Sequence, residues 1–278
     1  MKQLILGDCL EVLKGLAPAS VDLIYLDPPF FSKRNYQVVW GDEGEIRSFQ
    51  DRWAGGLDQY LAWLKERVQE LHRLLKPTGS IFLHCDWHAN AYIRVAILDK
   101  IFGEANFKNE IVWCYTAPAN VQKRFPQKHD TIFFYAKSKQ SYFSAKRIKI
   151  PYSSETVART RRGAGLMGLK VKGEAEERHK SRLAREGKVP EDYWLDIFRL
   201  QGNSRERIGY PTQKPEALLE RIILCASKEG DLVLDPFVGG GTTVVVAERL
   251  NRQWLGIDQS STAIKVSELR LRKLQQAD

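Results

Sequence analysis

Two short stretches of this chain carry side chains whose types and spacing suit chemistry. The first, Asp27-Pro28-Pro29-Phe30, follows the apolar run Val21 to Leu26. Consecutive prolines have locked φ angles and no N–H, so they present backbone carbonyls without competing donors. Asp27 sets a carboxylate acceptor beside them, and Phe30 adds a flat apolar face. Together these residues can accept both hydrogens of a planar amino group while an aromatic ring stacks on the heterocycle that carries it. The plainer alternative is a stiff turn with Phe30 in the core. The second stretch, Asp235-Pro236-Phe237-Val238-Gly239-Gly240-Gly241-Thr242-Thr243, leaves one apolar run and enters a helical pattern, and Asp258 closes the next run 17 residues after Gly241. Glycines let the backbone pass close to a ligand, and an acid at the neighbouring strand end can hold both ribose hydroxyls, which suits a nucleoside-containing cofactor. No Lys-Ser or Lys-Thr follows the glycines, so a phosphate-binding P-loop is disfavoured, and the spacing is not that of a dinucleotide fingerprint.

Other reactive residues are less telling. His84-Cys85-Asp86-Trp87-His88 holds metal-ligand types without a further cluster to complete a site, so no metal is expected. Trp113, Cys114 and Tyr115 suit either the core or the flank of a stacked base, and His129 reads as a structural histidine. The four cysteines are scattered, with neither a zinc cage nor a disulfide framework suggested.

The elements that must position these loops follow from periodicity. Gln3 to Leu6, Val21 to Leu26, Ser80 to His84, Glu110 to Trp113, Thr131 to Tyr135, Leu232 to Leu234 and Trp254 to Ile257 read as strands. Leu57, Leu61, Leu64, Val68, Leu71 and Leu74 recur at steps of three and four, predicting a long amphipathic helix stopped by Lys76-Pro77-Thr78-Gly79. Further helices are expected from Asn90 to Phe102, Pro215 to Ala226, Thr242 to Leu250 and from about Ser260. Alternation of strands and helices implies a doubly wound, mostly parallel, Rossmann-like α/β sheet, with ligands at the carboxyl ends of strands near a switch point.

The 278 residues are 43% apolar and 28% charged, an ordinary globular composition that excludes disordered and collagen-like chains. No apolar run reaches membrane-spanning length and the opening residues do not read as a signal peptide, so a soluble cytoplasmic protein is expected. The formal charge is +9, and nearly all of the excess lies between Ala145 and Lys188, with 13 basic residues against 5 acidic ones. Residues 141–204 break the alternation and read as a basic insert, containing Arg161-Arg162-Gly163-Ala164-Gly165 and a charged helical-looking segment from Glu174 to Glu186. Residues 1–140 and 205–278 then form the two halves of one domain. Such a basic run is either a solvated face or a polyanion-binding surface.

Taken together, these motifs resemble the β class of amino-group DNA methyltransferases that use S-adenosylmethionine. Asp27-Pro28-Pro29-Phe30 looks like the family's catalytic motif, Asp235 to Gly241 its cofactor motif, and Thr212-Gln213-Lys214-Pro215 the segment preceding it. Gly7-Asp8 with Asp22-Leu23-Ile24, and His129-Asp130-Thr131 with Ile132-Phe133-Phe134-Tyr135, fit the same pattern. The likeness covers most of residues 3–140 and 205–275. It implies catalytic roles for Asp27, Pro28, Pro29 and Phe30. It implies cofactor contacts from Phe237, Gly239, Gly241 and Thr242, with Asp235 near the methionine amino group, Lys214 at its carboxylate, Asp258 on the ribose and Asp8 at the adenine edge. The uncovered insert stands where the family keeps its target-recognition region, with Arg159, Arg161, Arg162, Lys170 and Lys172 as candidate DNA contacts. Double-stranded DNA is the implied partner, and a homodimer and a cognate restriction endonuclease are partners known for the family. Asp at the first motif position leans toward adenine N6 rather than cytosine N4. A nicotinamide-dependent oxidoreductase would leave Asp27-Pro28-Pro29-Phe30 without a role, and a non-enzymatic nucleic-acid-binding module would explain only the basic insert.

Overall fold

Burial of Val21 to Leu26 at every position organises the molecule, because a strand covered on both faces reads as a continuous apolar run. The computed structural model describes residues 1–32, 35–40, 45–50, 53–116, 120–153, 181 and 186–276, with 35–40 and 45–50 described as backbone. In chain order the elements are β1 (Lys2–Leu6), α1 (Cys9–Lys14), β2 (Val21–Leu26), β3 (Asn35–Trp40), β4 (Glu45–Gln50), α2 (Gly56–Leu74) and β5 (Leu75–Cys85). A helical stretch then comprises α3 (Asn90–Tyr92), a π-helical segment (Ile93–Leu98) and α4 (Asp99–Phe102). After these come β6 (Phe107–Cys114), β7 (His129–Ala136), β8 (Tyr193–Trp194), α5 (Glu216–Ala226), β9 (Leu232–Asp235), α6 (Thr242–Arg249), β10 (Gln253–Asp258) and α7 (Ser261–Gln275).

Among the described residues one eight-stranded sheet runs β1-β10-β9-β2-β5-β7-β6-β8, and β3 pairs with β4 in a separate antiparallel ribbon. Pairing is parallel from β1 to β5, while β7 is antiparallel to both β5 and β6. The chain leaves β2 through α2 toward β5 and leaves β9 through α6 toward β10. The crossovers therefore diverge between the neighbours β2 and β9, where Ile24 pairs with Leu234. That divergence is a topological switch point, and it opens a crevice beyond the carboxyl ends of both strands.

Helix α2 buries Tyr60, Leu64, Arg67, Val68, Leu71 and Leu74 on one stripe against the core. It ends where Leu75 turns extended, two residues before Pro77, which has no N–H to continue a helical ladder. Gly79 is required just beyond, since a Cβ there would lie 2.9 Å from the Asp22 carbonyl oxygen. Helix 90–102 differs from the regular helix its periodicity predicts, because residues 93–98 are wound one residue wider. No helix among the described residues is long and apolar enough to cross a membrane.

Contacts divide the chain into a larger unit, residues 1–143 and 192–278, and a smaller one, residues 144–191. In the smaller unit Ile150 and Lys188 exchange backbone hydrogen bonds. Residues 192–204, grouped by charge with the basic insert, sit in the larger unit, where Trp194 is buried and β8 lies parallel to β6.

Candidate active site

A cleft of about 820 Å³ opens at the switch point. Asp27, Pro28, Pro29 and Phe30 line it from β2, and Asp235, Phe237, Gly239, Gly240 and Thr242 from the turn after β9. Asp258, Asp8 and Lys214 complete the same wall. The two stretches that the sequence marks for chemistry thus share one crevice. Gly241 is not part of the lining: its φ is +78°, and a Cβ there would come within 2.6 Å of the Ser267 hydroxyl, so it allows α6 to pack on α7. Arg159, Arg161, Arg162, Lys170 and Lys172 lie outside the described residues.

At the Asp27-Pro28-Pro29-Phe30 loop, Lys214 Nζ donates to Asp27 Oδ2 at 2.5 Å and lies 5.1 Å from the centre of the Phe30 ring. Both side chains of this ion pair are mostly buried. The other carboxylate oxygen, Asp27 Oδ1, is buried and has no hydrogen-bond partner among the described residues, a costly state for an acceptor unless a ligand supplies the donor. Backbone strain brackets the site: Phe31 has φ +61° and Thr212 φ +64°, a region bulky and β-branched residues seldom adopt. Such strain costs on the order of 1–3 kcal/mol per residue and is characteristic of functional loops.

Beneath Phe30 runs a polar chain that sequence reasoning missed. His84 is fully buried with its ring 5.5 Å from that of Phe30. Its Nδ1 lies 2.8 Å from the Tyr25 hydroxyl and its Nε2 3.2 Å from Asp130 Oδ2, while the Tyr115 hydroxyl donates to Asp130 Oδ1 at 3.1 Å. Burial, reinforced by the negative charges of Asp27, Asp235 and Asp130, pushes the Tyr25 hydroxyl well above its ordinary pKa. Tyr25 therefore keeps its proton, and the two ring nitrogens of His84 link its hydroxyl to Asp130 in one buried chain. Burial would raise the Asp130 carboxyl, but the hydrogen bond and charge of His84, the charge of Lys214 and the Tyr115 hydroxyl together hold it below the usual range. Trp113 is buried edge-on to His84, with its indole N–H on the Ile197 carbonyl at 2.8 Å. The hint in the sequence was His84 inside an apolar strand, where a polar side chain demands partners.

On the glycine-turn side, Asp235 accepts from the Phe237 amide at 3.0 Å and the Thr243 hydroxyl at 2.5 Å. Its complete burial raises its pKa to about 7, with the charges of Asp27 and Asp258 adding to the effect and its two hydrogen bonds opposing it. Asp258 receives the Gly239 and Ser260 amides at 2.9 and 2.8 Å, and burial outweighs these bonds to raise it as well. Gly239 has φ +49°, and its missing Cβ leaves space beside the Tyr210 ring. Asp8 caps α1 through the Leu10 amide and binds Arg67 Nη2 through both oxygens, at 2.8 and 3.1 Å. The Arg67 guanidinium in turn lies 4.2 Å over the Trp63 ring, which meets Phe237 at 5.6 Å and Trp53 at 4.9 Å. Trp53, Trp63 and Arg67, all lining the cleft, were not predicted from the sequence. Arg67 interrupting the apolar stripe of α2 was the available signal.

Residues 21–269 match the model of the N6/N4 DNA methylase family. The type II methyltransferase M.HpaI of Haemophilus parainfluenzae is 31% identical over 271 residues, 97% of this chain and 74% of that protein. The DNA adenine methyltransferase YhdJ of Escherichia coli is 32% identical over 272 residues, 97% of this chain and 82% of that one. Among solved structures, the M1.HpyAVI–SAM complex superposes with a TM-score of 0.60 at 22% identity over 98% of this chain and 99% of that one. The cytosine-N4-specific PvuII DNA methyltransferase superposes with a TM-score of 0.63 at 17% identity, covering 99% and 90%. An Asp-Pro-Pro-Phe loop and a triple-glycine turn meeting at one switch point, together with a family match over most of the chain, lead to one conclusion: the chain belongs to the N6/N4 DNA methylase family.

Proposed function

We propose that the protein transfers a methyl group from S-adenosylmethionine to the exocyclic amino group of a base extruded from duplex DNA, adenine N6 in preference to cytosine N4. The observation that carries this reading is the orphaned, buried Asp27 Oδ1 in the cleft that the glycine turn also lines. The cleft also fits the cofactor: Gly239 and Gly240 leave backbone accessible, Asp258 is an acid at a strand end, and Trp63 and Phe237 offer apolar ring faces. Asp258 would hold the ribose, Asp235 the methionine amino group and Lys214 its carboxylate, and the aromatic wall beside Arg67 the adenine. Bound there, S-adenosylmethionine supplies an electrophilic methyl group on a sulfonium.

The amine of adenine or cytosine is a poor nucleophile because its lone pair is delocalised into the ring. Attack draws that pair out of conjugation and builds positive charge on nitrogen. Asp27 Oδ1 and the Pro28 carbonyl, fixed in advance, accept the two N–H bonds and stabilise the cation, a contribution of about 3 kcal/mol for one preorganised group. Asp27 is also the nearest acceptor for the departing proton, a secondary role because the alkylated nitrogen is already acidic. Phe30 stacks on the base, whose unstacking costs a few kcal/mol and is offset by contacts to the DNA elsewhere. For those contacts the basic stretch with Arg159, Arg161, Arg162, Lys170 and Lys172 is the candidate surface. Tritium-labelled S-adenosylmethionine incubated with the protein and duplex DNA tests the reading. Label in DNA, recovered as N6-methyladenine after nucleoside digestion, is expected. Recovery as N4-methylcytosine would change the base, and no transfer at all would overturn the proposal.

A further inference from the structure

A second cavity, of about 490 Å³, adjoins the cleft and shares Tyr210, Thr212 and Gln213 with it. Arg199 and Arg207 line it, and among the described residues neither guanidinium has a carboxylate partner. The acids of the same segment are committed elsewhere. Asp196 pairs with Arg221, and Glu206 turns its carboxylate onto the Glu216 amide at 2.9 Å to serve the start of α5. The floor is braced by Gln213, whose amide accepts from Ile208 N at 3.0 Å and donates to the Glu206 carbonyl at 2.7 Å. Arg199 stands over the Tyr115 ring, and Tyr115 bonds Asp130 at the outer end of the chain that runs beneath Phe30. The groove thus flanks the part of the cleft bordered by Phe30, Lys214 and Thr212.

We infer that this groove is a phosphodiester subsite holding the DNA backbone beside the extruded nucleotide, with Arg199 and Arg207 as the anion ligands. The inference rests on duplex DNA as the substrate. An extruded base stays tied to its own strand, so phosphates must pass the mouth of the pocket that receives it. Two solvent-accessible arginines without counter-ions among the described residues release condensed cations when they meet such phosphates, and fork-shaped guanidinium groups suit phosphate oxygens. The contacts lie on backbone rather than base edges, so they add affinity and register without sequence preference.

Steady-state methylation of a duplex by the wild type, Arg199→Gln, Arg207→Gln and the double variant tests this. Each single substitution is expected to raise the KM for DNA roughly tenfold and to reduce the salt slope of DNA binding by about 1. The KM for S-adenosylmethionine, the melting temperature and the recognised sequence stay unchanged, and Arg→Lys variants recover part of the loss. A scan of single neutral methylphosphonates across three linkages on either side of the target separates contact from general charge. At one linkage the wild type should lose what Arg199→Gln or Arg207→Gln has already lost, with no further loss in that variant. Unaltered DNA KM and salt slope, equal loss of cofactor affinity, or additive losses at every linkage would each overturn the assignment. A wild type that labels no DNA would instead condemn the methyltransferase reading itself.

Discussion

Lys214 reaches across 187 residues of sequence to place its ammonium 2.5 Å from Asp27 Oδ2, joining the segment before α5 to the loop after β2. Asp27 is thereby half satisfied: one oxygen is paired and the other, Oδ1, has no donor among the described residues. A carboxylate held in this way is oriented in advance, which is what the proposed transfer asks of a preorganised acceptor.

Replacing Lys214 with Met should remove the counter-ion of a largely buried acid and destabilise the fold by on the order of 2 kcal/mol, below the full cost of breaking a wholly buried pair. Methyl transfer should fall with it, and Lys214→Arg should recover stability more than activity because the planar fork does not reproduce a point charge. Denaturant unfolding and single-turnover transfer measure the two effects.

Two of the acids lining the cleft, Asp27 and Asp258, should separate chemistry from cofactor binding. Asp27→Ala is expected to abolish transfer while leaving the Kd for S-adenosylmethionine within about threefold, and Asp258→Ala to weaken that Kd roughly tenfold or more through the lost charged hydrogen bonds. Calorimetric titration with the cofactor decides it. Equal losses of cofactor affinity would refute the division of roles.

Asp235 predicts a pH signature. Its folded pKa of about 7 stands above the ordinary 3.8, so the folded state binds the proton more tightly than the unfolded chain. Its stabilising contribution is fully present below about pH 4 and is lost as pH rises through 7, amounting to a few kcal/mol at most. Asp235→Asn should therefore gain stability relative to the wild type at pH 8 more than at pH 5, read as the difference between their unfolding free energies.

His84→Leu should strand the Tyr25 hydroxyl and Asp130 in the interior, costing about 2–4 kcal/mol of stability, and should loosen the support of Phe30. A fall in kcat with an unchanged cofactor Kd is the expected kinetic result, and His84→Gln should restore part of both. A change confined to melting temperature would mean that the network is structural only.

Gly241 and Gly240 should respond unequally to alanine. Gly241 combines a left-handed backbone with a Cβ position 2.6 Å from the Ser267 hydroxyl, whereas a Cβ at Gly240 meets Ile208 and Tyr210 at 3.3 Å. Gly241→Ala should lower the melting temperature clearly, and Gly240→Ala should act mainly on cofactor affinity. Thermal melts with and without the cofactor separate the two.

What the sequence determined by itself was whatever short-range physics encodes. The buried run Val21 to Leu26, the stripe of α2, the stop at Pro77, and the turn from Asp235 into α6 are each written within a few turns or strand repeats. The order of the two motifs along the chain was also enough to indicate the family. The tertiary structure alone decided the rest, because it depends on which distant elements become neighbours. The reversal of β7 is set by the connection between β6 and β7, which leaves no mark on its own apolar residues. The short α1 carries too few residues to show a period. The pairing of Lys214 with Asp27, of Arg67 with Asp8 and of His84 with Asp130 joins residues separated by 187, 59 and 46 positions, and only the assembled sheet, with β7 beside β5 and the crossovers diverging at β2 and β9, makes such partners neighbours.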